Sequence, residues 1–143
     1  MAKRIPDGYH AVTPYLIVER PEALLTFLGE VFGAVEKERM MRPDGTIGHA
    51  ETRIGDSIVM LGGADARWRP TSSALYIYVD DADAAYKRAI AAGATSLMEP
   101  ADQFYGDRNA GVRDTNGISY WIATHKEDLS HDEMKRRAAA SMK

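Results

Sequence analysis

The feature that most constrains the fold is an internal repeat in the order of elements. Val18-Glu19-Arg20 and Val79-Asp80-Asp81 each end a β-rich stretch and open a helical one, and superposing them brings Gly33 and Gly93 within one residue of register. Ser57–Leu61 then falls near Ile118–Ile122, an offset of about 60 residues throughout. Two copies are too few for a solenoid, and a single half would leave one face of its sheet uncovered. The two halves are therefore expected to pack into one domain.

Within the first half, Ala11–Glu19 is rich in Val, Tyr, Leu and Ile and stops at Arg20-Pro21, where a helix can begin. From Glu22 to Phe32 the residues Ala23, Leu24, Phe27, Leu28 and Val31 recur at helical spacing, and Gly33 stands where a left-handed cap is wanted. Met40–Pro43 runs into Asp44-Gly45, a hairpin signal, and strand-like stretches follow at Thr46–Ile54 and Ser57–Leu61. The order is β-α-β-β-β. The second half repeats it: Ser73–Val79 reads as a strand, Asp80-Asp81 follows, and Ala82, Ala85, Tyr86, Ala89 and Ile90 make a helical stripe closed by Gly93. Ser130-His131-Asp132-Glu133 is a capping-box pattern that predicts a basic surface helix over Met134–Met142. The expected layout is module one over about residues 9–62, module two over about 72–125 and a C-terminal helix over about 130–142.

Composition excludes several roles. A chain of 143 residues with 45% hydrophobic content suits one substantial core. Its 18 basic against 21 acidic side chains leave a net charge of -3, with no cation excess for nucleic acid. The apolar runs are far short of the roughly 20 residues that cross a bilayer, and the N-terminus has no apolar signal region, so a cytoplasmic protein without nucleic-acid or membrane partners is expected. With no cysteine, disulfides, thiolate metal sites and cysteine nucleophiles are all ruled out.

The run from Gln103 through Tyr105-Gly106-Asp107-Arg108 to Asp114, followed by Gly117 and Trp121-Ile122-Ala123-Thr124-His125-Lys126-Glu127-Asp128, resembles the PhnB-like branch of the glyoxalase, bleomycin-resistance and dioxygenase superfamily. His49-Ala50-Glu51 and Arg53–Ser57 resemble the same branch. The resemblance implies an α+β fold of two paired βαβββ modules forming a cup-shaped mixed sheet, with helices on the convex side, a ligand on the concave side and a homodimer. No one reaction is implied, since members include isomerases, dioxygenases and drug-sequestering proteins. Metal-dependent relatives take ligands from four strand positions that correspond to Thr13, Met60, Ala74 and Trp121. A hydroxyl, a thioether, a methyl and an indole make no divalent-ion site, so neither metal nor cofactor is expected. His49 and Glu51 with a third ligand such as His10 form the alternative metal set.

Strand alternation assigns side chains to the two faces. Leu16 and Val18 should face the helix and Thr13, Tyr15 and Ile17 the cup; Leu75, Ile77 and Val79 the helix, and Ala74, Tyr76 and Tyr78 the cup. His49, Glu51, Arg53, Met60 and Trp121 join the cup face. His49 oriented by Glu51 is the candidate acid–base pair, or a structural hydrogen-bonded pair. Tyr15, Met60, Tyr76, Tyr78, Tyr105 and Trp121 are candidate ligand contacts. Arg108 is a candidate anion clamp, or the partner of a nearby aspartate. His125 and His131 read as solvated. The leading reading is a metal-free small-molecule-binding protein. The alternative is an isomerase, lyase or dioxygenase-type enzyme using His49 and Glu51.

Overall fold

The computed structural model describes residues 2–141. Two compact units form, one holding the chain through Ser73 together with Asp114–Gly117, the other holding Ala74–Arg113 and the chain from Ile118 onward.

Unit one runs β1 (Tyr15–Val18), α1 (Pro21–Phe32), β2 (Val35–Met41), β3 (Ile47–Ile54) and β4 (Ser57–Gly63). Its sheet has the order β1-β4-β3-β2, with β1 parallel to β4 and the other pairs antiparallel. Pro21 sits in the first helical turn, where a missing N–H costs nothing. Gly33 ends α1 at φ 66, its N–H reaching Gly29 O while Ala34 N reaches Leu28 O. Leu24, Phe27, Leu28 and Val31 form the buried face of α1, and Leu16, Val18, Ala50 and Leu61 are buried in the sheet. β1 is shorter than the Ala11–Glu19 stretch, because the chain before Tyr15 turns and the Thr13 hydroxyl donates to His10 O at 3.1 Å.

Unit two repeats the topology with β5 (Ala74–Tyr78), α2 (Ala82–Ala91), β6 (Thr95–Asp102), β7 (Asp107–Arg113) and β8 (Ser119–His125). Its sheet order is β5-β8-β7-β6, again with one parallel pair, β5 with β8. Asp81 caps α2 by accepting Ala84 N at 3.1 Å. α2 buries only methyl-sized groups, Ala82, Ala85 and Ala89, facing Ala110, Val112, Tyr120 and Ile122. Pro100 is tolerated in β6 because that strand lies at the sheet edge. A last helix, α3 (His131–Ser141), starts at the expected capping box, with Glu133 N donating to Ser130 Oγ at 3.1 Å; its expected last residue, Met142, lies outside the described residues. Each unit is thus α+β with a four-stranded mixed sheet, as the repeat required. No helix among the described residues is long and apolar enough to cross a membrane.

Candidate functional site

In unit one the register sets Tyr15 beside Met60, Met60 beside Glu51, and Gly62 beside both Ile17 and His49. These residues share the face opposite α1. His49 Nε2 lies 2.9 Å from Glu51 Oε2, and His49 Nδ1 lies 3.1 Å from the Tyr15 hydroxyl. The second carboxylate oxygen of Glu51 accepts the Tyr9 hydroxyl, and Lys37 Nζ donates to the Tyr9 oxygen at 2.8 Å while standing over its ring. Glu51 is only 6% exposed. Burial pushes its carboxyl up, but the hydrogen bonds from His49 and Tyr9 and the Lys37 charge outweigh that and hold it below the usual value. A Glu51 that stays ionised fixes the Nε2–H tautomer of His49 and leaves Nδ1 free to accept the Tyr15 proton.

Next to this chain lies a recess of about 390 Å³ lined by Tyr15, Ile17, Arg42, Gly48, Gly62, Gly63 and Trp68. Gly62 makes room for it: a Cβ there would come within 3.3 Å of the Tyr15 ring and 3.2 Å of Ile17. Trp68, 58% exposed, is presented by a turn in which Asp65 Oδ1 accepts Arg67 N and Trp68 N. Arg42 donates through Nη2 to Gly63 O at 2.6 Å and to Asp65 Oδ2 at 3.3 Å. Among the described residues its guanidinium hydrogen bonds all run through Nη2. Alternation from the hydrophobic pattern did not find Arg42 or Trp68. Asp65 in Ala64-Asp65-Ala66-Arg67-Trp68 was the available signal, an aspartate that can close a turn over the next residues.

Unit two gathers a different set. Asp107, 4% exposed, accepts the Tyr76 hydroxyl at 2.6 Å, the Tyr78 hydroxyl at 3.2 Å and His125 Nδ1 at 2.8 Å. Asn109 Nδ2 donates to the Tyr76 and Tyr105 hydroxyls at 3.1 and 2.7 Å, while its Oδ1 is buried without a partner among the described residues. Burial and the Asp107 acceptor hold the Tyr76 hydroxyl well above the usual phenol range. His125 is held between Asp107 and Asp128, and both bonds raise its pKa. It is exposed, and its ring is also anchored at both nitrogens. Trp121 lies between Tyr76 and Gly111 in the sheet, and its indole covers Gly111 so closely that a Cβ there would sit 2.2 Å from the ring. Arg108 projects to the other side, where it forms a two-pronged bond with Asp83 of α2 at 2.7 and 2.9 Å. Of the two readings of Arg108, anion clamp or aspartate partner, this contact is the second, and Asp102 Oδ1 accepts Nη1 as well at 3.3 Å.

Residues 9–122 match the sequence model of the Glyoxalase/Bleomycin resistance protein/Dioxygenase superfamily. The chain belongs to this superfamily. An uncharacterized protein of Mycobacterium bovis is 33% identical over 138 residues, covering 87% of this chain and 90% of that protein. A Mycobacterium tuberculosis relative is equally similar and is covered over 80% of its length. Among solved structures, TioX from Micromonospora sp. ML1 superposes with a TM-score of 0.69 at 27% identity, covering 81% of this chain and 98% of TioX. A glyoxalase/bleomycin resistance protein/dioxygenase family enzyme from Burkholderia phytofirmans PsJN shares the fold, with a TM-score of 0.66 at 23% identity and coverage of 79% and 96%.

At the four positions that correspond to the ligands of the superfamily's metal-dependent members, the side chains present are poor metal donors. The Thr13 hydroxyl is turned to His10 O, Met60 offers a thioether, Ala74 a methyl, and the Trp121 indole lies on Gly111. His10 does not complete a set with His49 and Glu51: among the described residues, no three His, Asp or Glu side chains are grouped to hold an ion.

Proposed function

We propose that the chain is a small-molecule-binding protein of the PhnB-like branch, working without a metal, and that its ligand enters the unit-one recess. The observation that carries this reading is the lining itself. Tyr15, Ile17 and Trp68 supply apolar and aromatic surface, Gly62 and Gly63 give close backbone approach, and Arg42 supplies one cation. A cavity of a few hundred Å³, mostly apolar with a few placed polar groups, is what ligand sites have in common. The occupant that matches is a planar aromatic acid, its ring between Tyr15 and Trp68 and its carboxylate on Arg42. The Tyr15 hydroxyl ties the recess to His49 and Glu51, and Met60 pairs with Tyr15 in the sheet. In unit two, Tyr76, Tyr78, Tyr105 and Trp121 form a further aromatic ligand face, supported by the exposure of the Tyr76 and Tyr78 rings. Pairing with a second copy is part of this reading, favoured by the fully exposed edge strand β2 with Val35, Met40 and Met41 at its surface.

A thermal-shift titration with 2-naphthoate tests the recess. Saturation near 100 times the dissociation constant should add about 2.7 kcal/mol of stability, and Trp68→Ala or Arg42→Ala should remove most of it. Equal shifts in wild type and both variants would refute the recess as the site.

A further inference from the structure

We infer that Tyr15 is a proton-transfer group and that the recess interconverts the keto and enol forms of an aromatic 2-oxo acid. The inference rests on the recess being the ligand site. Its own basis is the hydrogen-bond chain that ends on the recess wall. Tyr15 lines the recess and its hydroxyl is 3.1 Å from His49 Nδ1; His49 Nε2 is 2.9 Å from Glu51; and Glu51 is held in turn by Tyr9, which receives Lys37 Nζ at 2.8 Å. Glu51 fixes one nitrogen of His49. Here its second nitrogen is spent on a half-exposed tyrosine that faces a cavity.

The chemistry balances without a co-reactant. The Tyr15 proton passes to His49 Nδ1, and the resulting imidazolium is compensated by the Glu51 carboxylate. The phenolate oxygen then takes a proton from the carbon next to the substrate carbonyl. That C–H bond breaks, its electron pair becomes the carbon–carbon double bond, and the carbonyl electrons move to oxygen. The proton now on Tyr15 is delivered to the enolate oxygen, forming the enol O–H, and His49 returns its proton to Tyr15. No electron is gained or lost. Arg42 holds the carboxylate, and its charge favours the growing negative charge. Tyr15 touches substrate, whereas His49 and Glu51 act through it as positioning residues.

Phenylpyruvate is the probe, with exchange of its methylene protons for deuterium followed by NMR in deuterated buffer and binding read from Trp68 fluorescence in Trp121→Phe protein. Wild type should accelerate exchange well above the buffer rate. Tyr15→Phe should lower the protein-dependent rate by about 100-fold or more, the usual range for a general acid–base group, while phenylpyruvate still binds. His49→Gln should lower kcat with KM little changed, because the Tyr15 proton then has no acceptor. Binding without accelerated exchange, or Tyr15→Phe protein as fast as wild type, would overturn this inference and leave the binding reading standing. Absence of binding by both phenylpyruvate and 2-naphthoate would overturn the two together.

Discussion

The carboxylate of Glu51 bridges His49 and Tyr9, taking the His49 Nε2 side at 2.9 Å on one oxygen and the Tyr9 hydroxyl on the other. Asp107 plays the corresponding part in unit two, where one oxygen meets His125 and the other meets Tyr76 and Tyr78. Both carboxylates are buried, and both have pKa values held below the usual range.

Acid should therefore weaken the protein through these two groups. Their pKa values are lower folded than unfolded, so their contribution is complete above the ordinary carboxylate value. It is lost as pH falls from the ordinary value, 4.5 for Glu51 and 3.8 for Asp107, through the lowered folded values. Urea midpoints measured between neutral and acid pH should fall over that window. Glu51→Gln and Asp107→Asn should each cost about 1–3 kcal/mol at neutral pH and flatten the acid limb. A variant with the same acid limb as wild type would remove that residue from the account.

His125 gives the opposite sign. Hydrogen bonds to Asp107 and then Asp128 raise its pKa, so its contribution is complete below the ordinary imidazole value and is lost as pH rises through the folded value. Its NMR titration midpoint should lie above the usual histidine value, and Asp107→Asn should bring it down further than Asp128→Asn. A midpoint at the ordinary value in wild type would show that the anchoring bonds do not persist in solution.

Gly111 is required for a packing reason rather than a backbone one. A Cβ at this position would meet Trp121 ring carbons at 2.2, 2.8 and 2.9 Å. The rigid indole cannot yield without leaving its place, so Gly111→Ala should destabilise by about 1–3 kcal/mol and shift the Trp121 emission in Trp68→Phe protein. Unchanged stability and emission would mean that the indole does not rest on Gly111.

Much of this arrangement could be read from the sequence, since it follows from a period of two. Alternation placed Leu16 and Val18 inward and His49 with Glu51 on one face, and the residues two apart on β3 do meet through a hydrogen bond. The glycines and capping aspartate marked the helix ends for the same local reason. Arg42 escaped because β2 shifts register between Met40 and Met41, and a bulge reverses the face of whatever follows. Trp68 lies in a turn, where alternation has no meaning. The Asp107–His125 contact depends on β7 and β8 pairing at that register, a long-range match that no local spacing reveals. Arg108 was read beside the aspartates near it in sequence, Asp107 and Asp114, whereas α2 supplies its partner, Asp83.

The most direct test is to titrate 2-naphthoate into two single-tryptophan proteins, Trp121→Phe, which keeps Trp68 as reporter, and Trp68→Phe, which keeps Trp121. With the ligand in the unit-one recess, Trp68 emission should change saturably, and the change should be lost when Arg42→Ala is added. A saturable response from Trp121 with none from Trp68 would contradict the recess as the binding site.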